Sequence, residues 1–513
     1  MRTVISAVAL ASLLWIPAAS AGGSGAAASP DIADLERKIE ELSRQLDALK
    51  AAMEQQKEVN VATSEQVSDL SDEIDDMDER SEAWDLASRF NFFGDFRARY
   101  DYYKADTVFD RTLSNDALFT NRLRLSMNVK ATEQVEFKGR LAMYKAWGMQ
   151  SAFNDASGTM WPVFDGNITR TPVSDSALYV DRAYVNWNGI GGAPIWLSIG
   201  RRPTTDGPPG QFRLGWDEER FATPVAFFDY PFDGFVLGYG YSWGNDALGT
   251  GKFRFCFGRG FEAGLQQKNT GLDDTDFFGF NWDVLSKDVR LLNLQSFMAF
   301  NVFNYPNFQD PIINEAFGEM SGFGERQQLG NIWHTDMVYQ DKISSLNYFI
   351  SAGWSQTQPN SNGIFNDFAA MAAGMTGPNE SNENGYAVYA GIRYDLDESN
   401  LKFGAEWNYG SQYWISFTPG HDDIYMAKLA TRGNVFELYT IWDIPAGEAI
   451  SKYGRAFIRL GWQHYNYNYA GSGDWNMYPY DLGSGSDLQM LQMMGMDPVE
   501  SADQIYLTFE AFF

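Results

Sequence analysis

The sequence predicts an all-β fold, a 16-stranded antiparallel transmembrane β-barrel, preceded by an α-helical coiled coil. From about residue 90 onward, apolar and polar residues alternate with a period of two, and before that point apolar residues recur every seven positions. After the N-terminal 21 residues, no apolar run reaches the ~18 residues of a membrane-spanning helix, although 16% of the chain is aromatic. An exported, aromatic-rich chain of alternating strands is typical of a barrel in the bacterial outer membrane.

The N-terminal residues are predicted to direct export. A positive start and a short apolar core precede the small-residue cleavage site Ala19-Ser20-Ala21, so residues 1–21 are interpreted as a secretory signal peptide. Residues 22–30 form a linker rich in Gly, Ala and Ser. The formal net charge of −28 argues against nucleic acid as a partner, because so acidic a chain would not neutralise a phosphate backbone.

Residues 31–87 are predicted to form a periplasmic coiled coil. Apolar residues occupy the two core heptad positions, chiefly Ile32, Ile39, Leu46, Met53, Leu35, Leu42 and Leu49. Such a coil predicts a homo-oligomer. Ile at one core position and Leu at the other favour two strands, whereas barrel porins are usually trimers, and we favour a trimer. The alternative is a single amphipathic helix that lies on its own barrel. A coil of roughly 50 residues would extend on the order of 80 Å, toward peptidoglycan as a further partner.

Residues 88–513 are predicted to form the barrel. In the hairpin NRLRLSMNVKATEQVEFKGRLAMYKAW, Leu123 and Leu125 would face outward while Arg122 and Arg124 face inward. Apolar residues outside and charged residues inside invert the arrangement of a soluble sheet, and a water-filled membrane barrel requires this inversion.

Sixteen strands are predicted along this region, with short turns that alternate with long connections. Such alternation is typical of a barrel whose two rims differ. The predicted strands are approximately 90–103, 118–130, 135–147, 177–187, 194–202, 233–243, 252–259, 275–285, 289–303, 331–340, 344–356, 385–395, 400–414, 425–444, 453–469 and 503–513.

The C-terminal stretch SADQIYLTFEAFF is predicted to be the closing strand. Ile505, Leu507, Phe509, Ala511 and Phe513 would share the lipid-facing side. The strand has to pair with the first one, because an unpaired edge in hydrocarbon leaves backbone groups without partners. Phe509 and Phe513 resemble the C-terminal signal that the barrel assembly machinery recognises. The outer surface is expected to contact outer-membrane lipid and lipopolysaccharide.

Four segments resemble a bacterial family known mainly as a domain of unknown function: LSIGRRPTTDGPPGQ, ATPVAFFDYPFDGFVLGYGY, GKFRFCFGRGFE and DFFGFNWDV. Members of that family look like outer-membrane porins with an N-terminal coiled coil. The resemblance, marked above all by the GRRPTT and GPP residues, extends from the heptads to the last residue. It implies a fold and a location more than a substrate.

The connection at 203–232 is predicted to fold into the lumen and to constrict it. Its acidic residues are Asp217, Glu218 and Glu219. Basic residues on the facing wall are Arg97, Arg99, Arg122, Arg124, Lys138, Arg140, Arg182, Arg201 and Arg202. We predict that this basic wall opposes the acidic residues, because a transverse field in a narrow pore sorts solutes by charge. The alternative is that the cations pair with Asp95, Asp101 and Glu136 and simply line a wet wall.

No enzyme, cofactor or metal site is predicted. Cys256 is the only cysteine, and no CxxCH haem motif occurs. His334, His421 and His464 lie far apart, without HExxH or GxSxG motifs. The predicted function is passive diffusion of small hydrophilic solutes or ions through a porin. Two alternatives remain open: a barrel that anchors an envelope-tethering coil, and a barrel that sheaths an electron-transfer or export partner.

Overall fold

The computed structural model describes residues 36–58, 89–148, 178–202, 207–219, 222, 227–228, 232–265, 272–304, 327–418, 423, 427–445, 447, 449 and 454–513. The predicted signal peptide, the linker and the rest of the predicted coiled coil lie outside the described residues. Among the helices that the structure describes, none is both long and apolar enough to cross a membrane.

Residues 36–58 form the helix α1, which belongs to a unit of its own, Met1–Asp85. The helix agrees with the predicted heptad region. Five apolar side chains at core heptad positions are 55–68% exposed: Ile39, Leu42, Leu46, Leu49 and Met53. The pairing of α1 into a coiled coil stays a prediction.

The second unit, Leu86–Phe513, holds sixteen strands in the described part of the chain. They are β1 Phe90–Thr107, β2 Thr112–Lys130, β3 Val135–Ala146, β4 Tyr179–Asn188, β5 Ile195–Arg201, β6 Asp233–Ser242, β7 Thr250–Phe261, β8 Thr275–Lys287, β9 Arg290–Phe303, β10 Gln328–Ile343, β11 Leu346–Pro359, β12 Asn384–Leu396, β13 Leu401–Gly410, β14 Gly433–Asp443, β15 Arg455–Tyr467 and β16 Val499–Phe512. Two short helices, α2 Phe368–Ala372 and α3 Gly485–Met493, lie in the connections after β11 and β15.

The strands form one closed antiparallel barrel in which each strand pairs with its neighbours in sequence and β16 pairs with β1. At the seam, Gly94 donates its N–H to the carbonyl of Phe513 (2.8 Å), and Phe513 donates to the carbonyl of Gly94 (3.0 Å). The strand count, the order and the closure by the last strand are confirmed. Closure leaves no exposed sheet edge, which is the condition for a sheet in hydrocarbon.

The side chains alternate between the two faces of the wall as predicted. On β2, Arg122 and Arg124 are 5% and 6% exposed, whereas Leu125 is 40% exposed. The tight turn after β2 lies at the same end as the start of β1, because Phe90 pairs with Val129. The short turns and the seam residues therefore share one rim, and the long connections lie at the other.

One strand prediction was too long. Residues 425–444 were expected to be extended throughout, but β14 begins at Gly433, and Lys428–Ala430 form a 3-10 helix. Lys428 is buried between Glu406 and Glu437 and donates to both carboxylates. At Lys428 the chain therefore lies inside the barrel, because this side chain forms its ion pairs in the lumen. The segment is not a continuation of strand β14.

Candidate pore constriction and lumen

The connection between β5 and β6 lies inside the barrel. Its residues Gly210–Leu214 form a short 3-10 helix, and all five are buried. The connection contacts Arg393 of β12, which is fully buried, whereas its neighbours Ile392 and Tyr394 are 50% and 48% exposed. Because successive side chains of a strand point to opposite faces, a segment that contacts Arg393 is in the lumen. The described part of the connection, residues 207–219, is therefore folded inward.

Cations of the wall hold the backbone of this connection in place. Among the described residues, four of them donate to its carbonyl groups: Arg393 to Phe212 (3.1 Å) and Trp216 (2.8 Å), Lys402 to Gly215 (2.7 Å), Arg455 to Leu214 (2.5 Å) and Arg459 to Arg213 (2.5 Å). Carbonyl groups at the end of a helical turn have no partner within the helix, so the cations satisfy them. We call strands β10–β15 the anchoring wall.

Side chains of the connection add further bonds to the anchoring wall. Gln211 donates to Gln340 (2.9 Å), and Arg213 donates to Glu437 (2.7 Å). All four side chains are buried. A buried ion pair with additional hydrogen bonds is costly to break, because removal of one partner leaves an uncompensated charge. The connection is thus fixed by both its backbone and its side chains.

The three acidic residues of the predicted constriction do not act as one cluster. Asp217 pairs with Lys342 (2.5 Å) and with Arg393, both on the anchoring wall. Burial alone would raise the pKa of Asp217, but these two cations hold the pKa of this connecting residue below its ordinary value. Glu218 is exposed to a cavity on the opposite side, and Glu219 is half-buried. Only Glu218 therefore meets the predicted basic wall.

The open space of the lumen lies along strands β1–β8, which we call the open wall. A cavity of about 220 Å³ is lined by Asp95, Arg124, Lys138, Arg140 and Arg182, among others. A second cavity of about 560 Å³ is lined by Glu136, Lys138, Arg202, Glu218, Lys252, Arg254 and Asp283, among others. Lys138 and Tyr184 line both cavities, so the two are neighbours.

Five of the nine predicted wall cations line these cavities: Arg124, Lys138, Arg140, Arg182 and Arg202. The other four do not. Arg97 packs over the ring of Tyr144, at 5.2 Å from its centroid. Arg99 is bound to Asp101, Arg122 lies between Asp95 and Glu510, and Arg201 is 3.8 Å from Asp233.

Much of the basic wall is neutralised by adjacent carboxylates, as the alternative interpretation expected. Asp95 contacts Arg124 at 2.7 Å and Arg122 at 3.2 Å, and Lys138 contacts Glu136 at 2.9 Å. Asp181, a buried residue of β4, pairs with Arg140 and lies 3.9 Å from Arg182. These ion pairs compensate much of the positive charge of the basic wall and hold its side chains in place.

The sequence analysis missed Lys252 and Arg254 of β7, which line the larger cavity. Arg254 donates to Asp283 at 2.6 Å and to Asn281 at 2.7 Å. The alternation in GKFRFCFGRGFE carries the signal that was available, because it places the two cations on the face opposite to three Phe residues. The anchoring wall was also missed, because its cations bind a segment distant in sequence.

Part of the lumen is filled by aromatic side chains, which contradicts an inner face that is polar throughout. Phe277 and Phe297 are buried inward on β8 and β9, and they pack with Phe228, Phe417 and Trp475 of the connections. The ring centroids of Phe228 and Phe297 are 4.4 Å apart. Connections that fold inside a barrel need an apolar core of their own, and this core uses inward strand positions.

The histidines form no catalytic arrangement in the described part of the chain. His334 is buried and stacks on Phe297, with its Nδ1 3.4 Å from Asp336. His464 lies 3.0 Å from Asp503 and is partly exposed, and His421 is outside the described residues. Across the described ranges, no group of three or more His, Cys, Asp or Glu residues is placed to hold a metal ion.

Comparison with known proteins gives one family match. A family model described as "Protein of unknown function (DUF3373)" matches residues 112–513. The match excludes the heptads, so the resemblance that was expected to begin there is shown only from residue 112. A search of the curated proteins finds no sequence match.

Solved structures that are similar include OmpT, an outer membrane protein of Vibrio cholerae. The outer-membrane-expressed form is 8% identical, with 83% of this chain and 97% of that chain covered and a TM-score of 0.38. A loop L8 deletion mutant of the same protein is also 8% identical, with 83% and 99% covered and a TM-score of 0.37.

Proposed function

The chain belongs to the DUF3373 family, and from that premise we propose that it is an outer-membrane porin. It would provide a water-filled channel for passive diffusion of small hydrophilic solutes or ions, with the connection after β5 as the constriction. One observation carries the proposal. The connection is bound to the anchoring wall, and the space that remains along the open wall is lined by charged side chains. Charged linings hold water, and water carries solutes.

The outer face of the barrel supports placement in a membrane. Leu438, Leu460 and Ile392 point outward and are 53%, 52% and 50% exposed. A continuous apolar belt of this kind would associate in water and is stable against hydrocarbon. Its partners would be outer-membrane lipid and lipopolysaccharide. The barrel assembly machinery would recognise the outward-facing Phe509 and Phe513, which are 43% and 50% exposed.

The inward connection also bears on the alternatives. A partner threaded through the barrel would have to displace a segment that four cations hold, so a sheath is the weaker proposal. A tether would depend on residues 31–87, whereas a porin would not. Deletion of these residues should leave conductance intact if the barrel is a porin.

Planar bilayer recording with the purified full chain tests the proposal. The barrel is first shown to be folded by its heat-modifiable mobility on a detergent gel. We expect discrete conductance steps from the full chain and from the variant that lacks residues 31–87. A folded barrel that inserts into the bilayer and carries no current would contradict the porin.

A separate observation favours self-association through α1. Its five exposed core-position side chains are apolar and follow the heptad pattern, and other copies of the same helix would cover them. We favour a trimer, with the coil in the periplasm and directed toward peptidoglycan.

Light scattering in detergent should give a trimer mass for the full chain. Leu42→Asp with Leu46→Asp should reduce it to a monomer, and Ala48→Asp with Ala51→Asp should not. A monomeric unmodified chain contradicts this proposal.

A further inference from the structure

The charge that lines the two cavities differs in sign from the charge of the chain. Seven cations line them: Arg124, Lys138, Arg140, Arg182, Arg202, Lys252 and Arg254. Four carboxylates line them: Asp95, Glu136, Glu218 and Asp283. The buried Asp181 of β4 compensates one further positive charge through its ion pair with Arg140. The described lining of the two cavities is therefore formally positive, although the whole chain carries −28.

Most of these cations are tied to a carboxylate, but two are not. Arg124, Lys138, Arg140 and Arg254 each form an ion pair of 2.9 Å or shorter. Arg202 and Lys252 form no ion pair with any carboxylate of the described residues. Both line the larger cavity.

Arg202 has the more unusual environment of the two. Its Nη1 atom is buried and makes no hydrogen bond to the residues that the structure describes. Its guanidinium packs over the ring of Tyr184, at 5.6 Å from the centroid. It also lines a small apolar pocket of about 90 Å³ together with Arg254 and Cys256. A guanidinium packed against apolar side chains, with no carboxylate of the described residues within an ion-pair distance, is costly, and a solute anion would reduce that cost.

We propose that Arg202 and Lys252, supported by Arg254, form an anion-binding step of the pore and make it selective for small anions. The proposal rests on the porin function above. An anion that enters the larger cavity meets four cations and three carboxylates. Glu136 and Asp283 are paired with Lys138 and Arg254, which leaves Arg202, Lys252 and Glu218 without an ion pair to the residues that the structure describes. A cation meets the same excess of positive charge as a barrier, because charge in a narrow, low-dielectric passage acts strongly on an ion.

Reversal potentials in KCl gradients across a planar bilayer test the proposal. The unmodified chain should pass chloride in preference to potassium. Arg202→Gln with Lys252→Gln should lower the chloride-to-potassium permeability ratio by roughly two- to five-fold. Arg202→Lys should retain most of the preference, because it keeps the charge. Lys104→Gln removes one positive charge from the outer face of β1, where the side chain is exposed, and should change nothing.

The possible failures are distinguishable. A folded barrel without conductance overturns the porin itself. A conducting pore that prefers potassium, or one whose permeability ratio is the same in the double Gln variant, overturns only the anion-binding step. If the double variant does not fold, as judged by heat-modifiable mobility, each single Gln variant is measured in the same way, and an unchanged ratio in both contradicts the proposal.

Discussion

The anchoring wall and the open wall use the same residue types for different purposes. On the anchoring wall, Arg393, Arg455 and Arg459 donate to backbone carbonyls of the inward connection. On the open wall, Arg124 and Arg254 donate to side-chain carboxylates. The first arrangement immobilises a segment, and the second leaves charged groups beside water. An inward arginine in a barrel is therefore informative only when its partner is known.

Adjacent residues of the connection show the same division at shorter range. Asp217 is bound by two cations of the anchoring wall, while Glu218 faces the larger cavity. Asp217 therefore helps to hold the connection against the anchoring wall. The carboxylate of Glu218 lies at the larger cavity, where it would act on passing solutes. Three predictions test this difference between the walls.

The largest effect is expected from Arg393→Gln on the anchoring wall. The change removes two hydrogen bonds to carbonyls and the ion pairs with Asp217 and Asp395, so the connection should be held less tightly against the wall, with the bonds from Lys402, Arg455 and Arg459 remaining. We expect the single-channel conductance to rise by roughly 1.5- to 3-fold, because the constriction widens. Arg259→Gln is the matched control, since Arg259 binds Glu262, Asp274 and Asp276 instead. If the folded Arg393→Gln variant has the same conductance as the unmodified chain, the connection is not the constriction of the pore.

A smaller effect, on stability, should distinguish one carboxylate of each wall. Glu437 accepts from Arg213 (2.7 Å), Lys428 (2.5 Å) and Tyr506 (2.5 Å), all buried. Glu437→Gln should lower the free energy of unfolding by about 3 kcal/mol, because it leaves buried cations uncompensated. Asp95→Asn should cost less, about 2 kcal/mol, since Arg124 lines a cavity and Arg122 keeps Glu510 at 3.8 Å. Urea unfolding followed by tryptophan fluorescence measures both, and a larger loss for Asp95→Asn would reverse the assignment of the walls.

The smallest effect is expected from the two acidic neighbours. Glu218→Gln should raise the chloride-to-potassium permeability ratio by roughly 1.5-fold, because it removes a negative charge that no cation of the described residues pairs. Asp217→Asn should change the ratio less, since the Asp217 charge is compensated by Lys342 and Arg393. Reversal potentials compare the two variants directly. A larger shift for Asp217→Asn would indicate that the anchored residue faces the solute path.

The fold could be predicted from the sequence because the period of a strand is local. Each residue of a stretch such as NRLRLSMNV reports its own face, and closure follows from the absence of tolerated edges in lipid. The inward connection was predicted by its position among the long connections. Its attachment to Arg393 and Lys402 was not, because these contacts join residues 177 and 187 positions apart and leave no local pattern.

The candidate site was predicted only in part, because alternation is a local signal and the contacts of an inward side chain are not. Alternation identified Arg124 and Lys138 as inward, but it does not tell whether an inward cation meets water or another part of the protein. Arg97 and Arg99 have the same sequence pattern and pack against tyrosine rings. The aromatic cluster was missed because Phe277 and Phe297 lie inward only where connections fold over them.

The bonds to the connection end on peptide oxygens, and every residue type supplies a peptide oxygen. These bonds do not depend on the side chains of Phe212, Leu214 and Trp216. Arg213, by contrast, pairs with Glu437, and Gly215 has a φ of 74°, which favours glycine. Duplicated genes of this kind could come to pass different solutes while the barrel and the main-chain bonds to the connection stay the same. In engineering the pore, the side chains that make no bond to the anchoring wall are the positions to vary, while Gln211, Arg213 and Asp217 are kept.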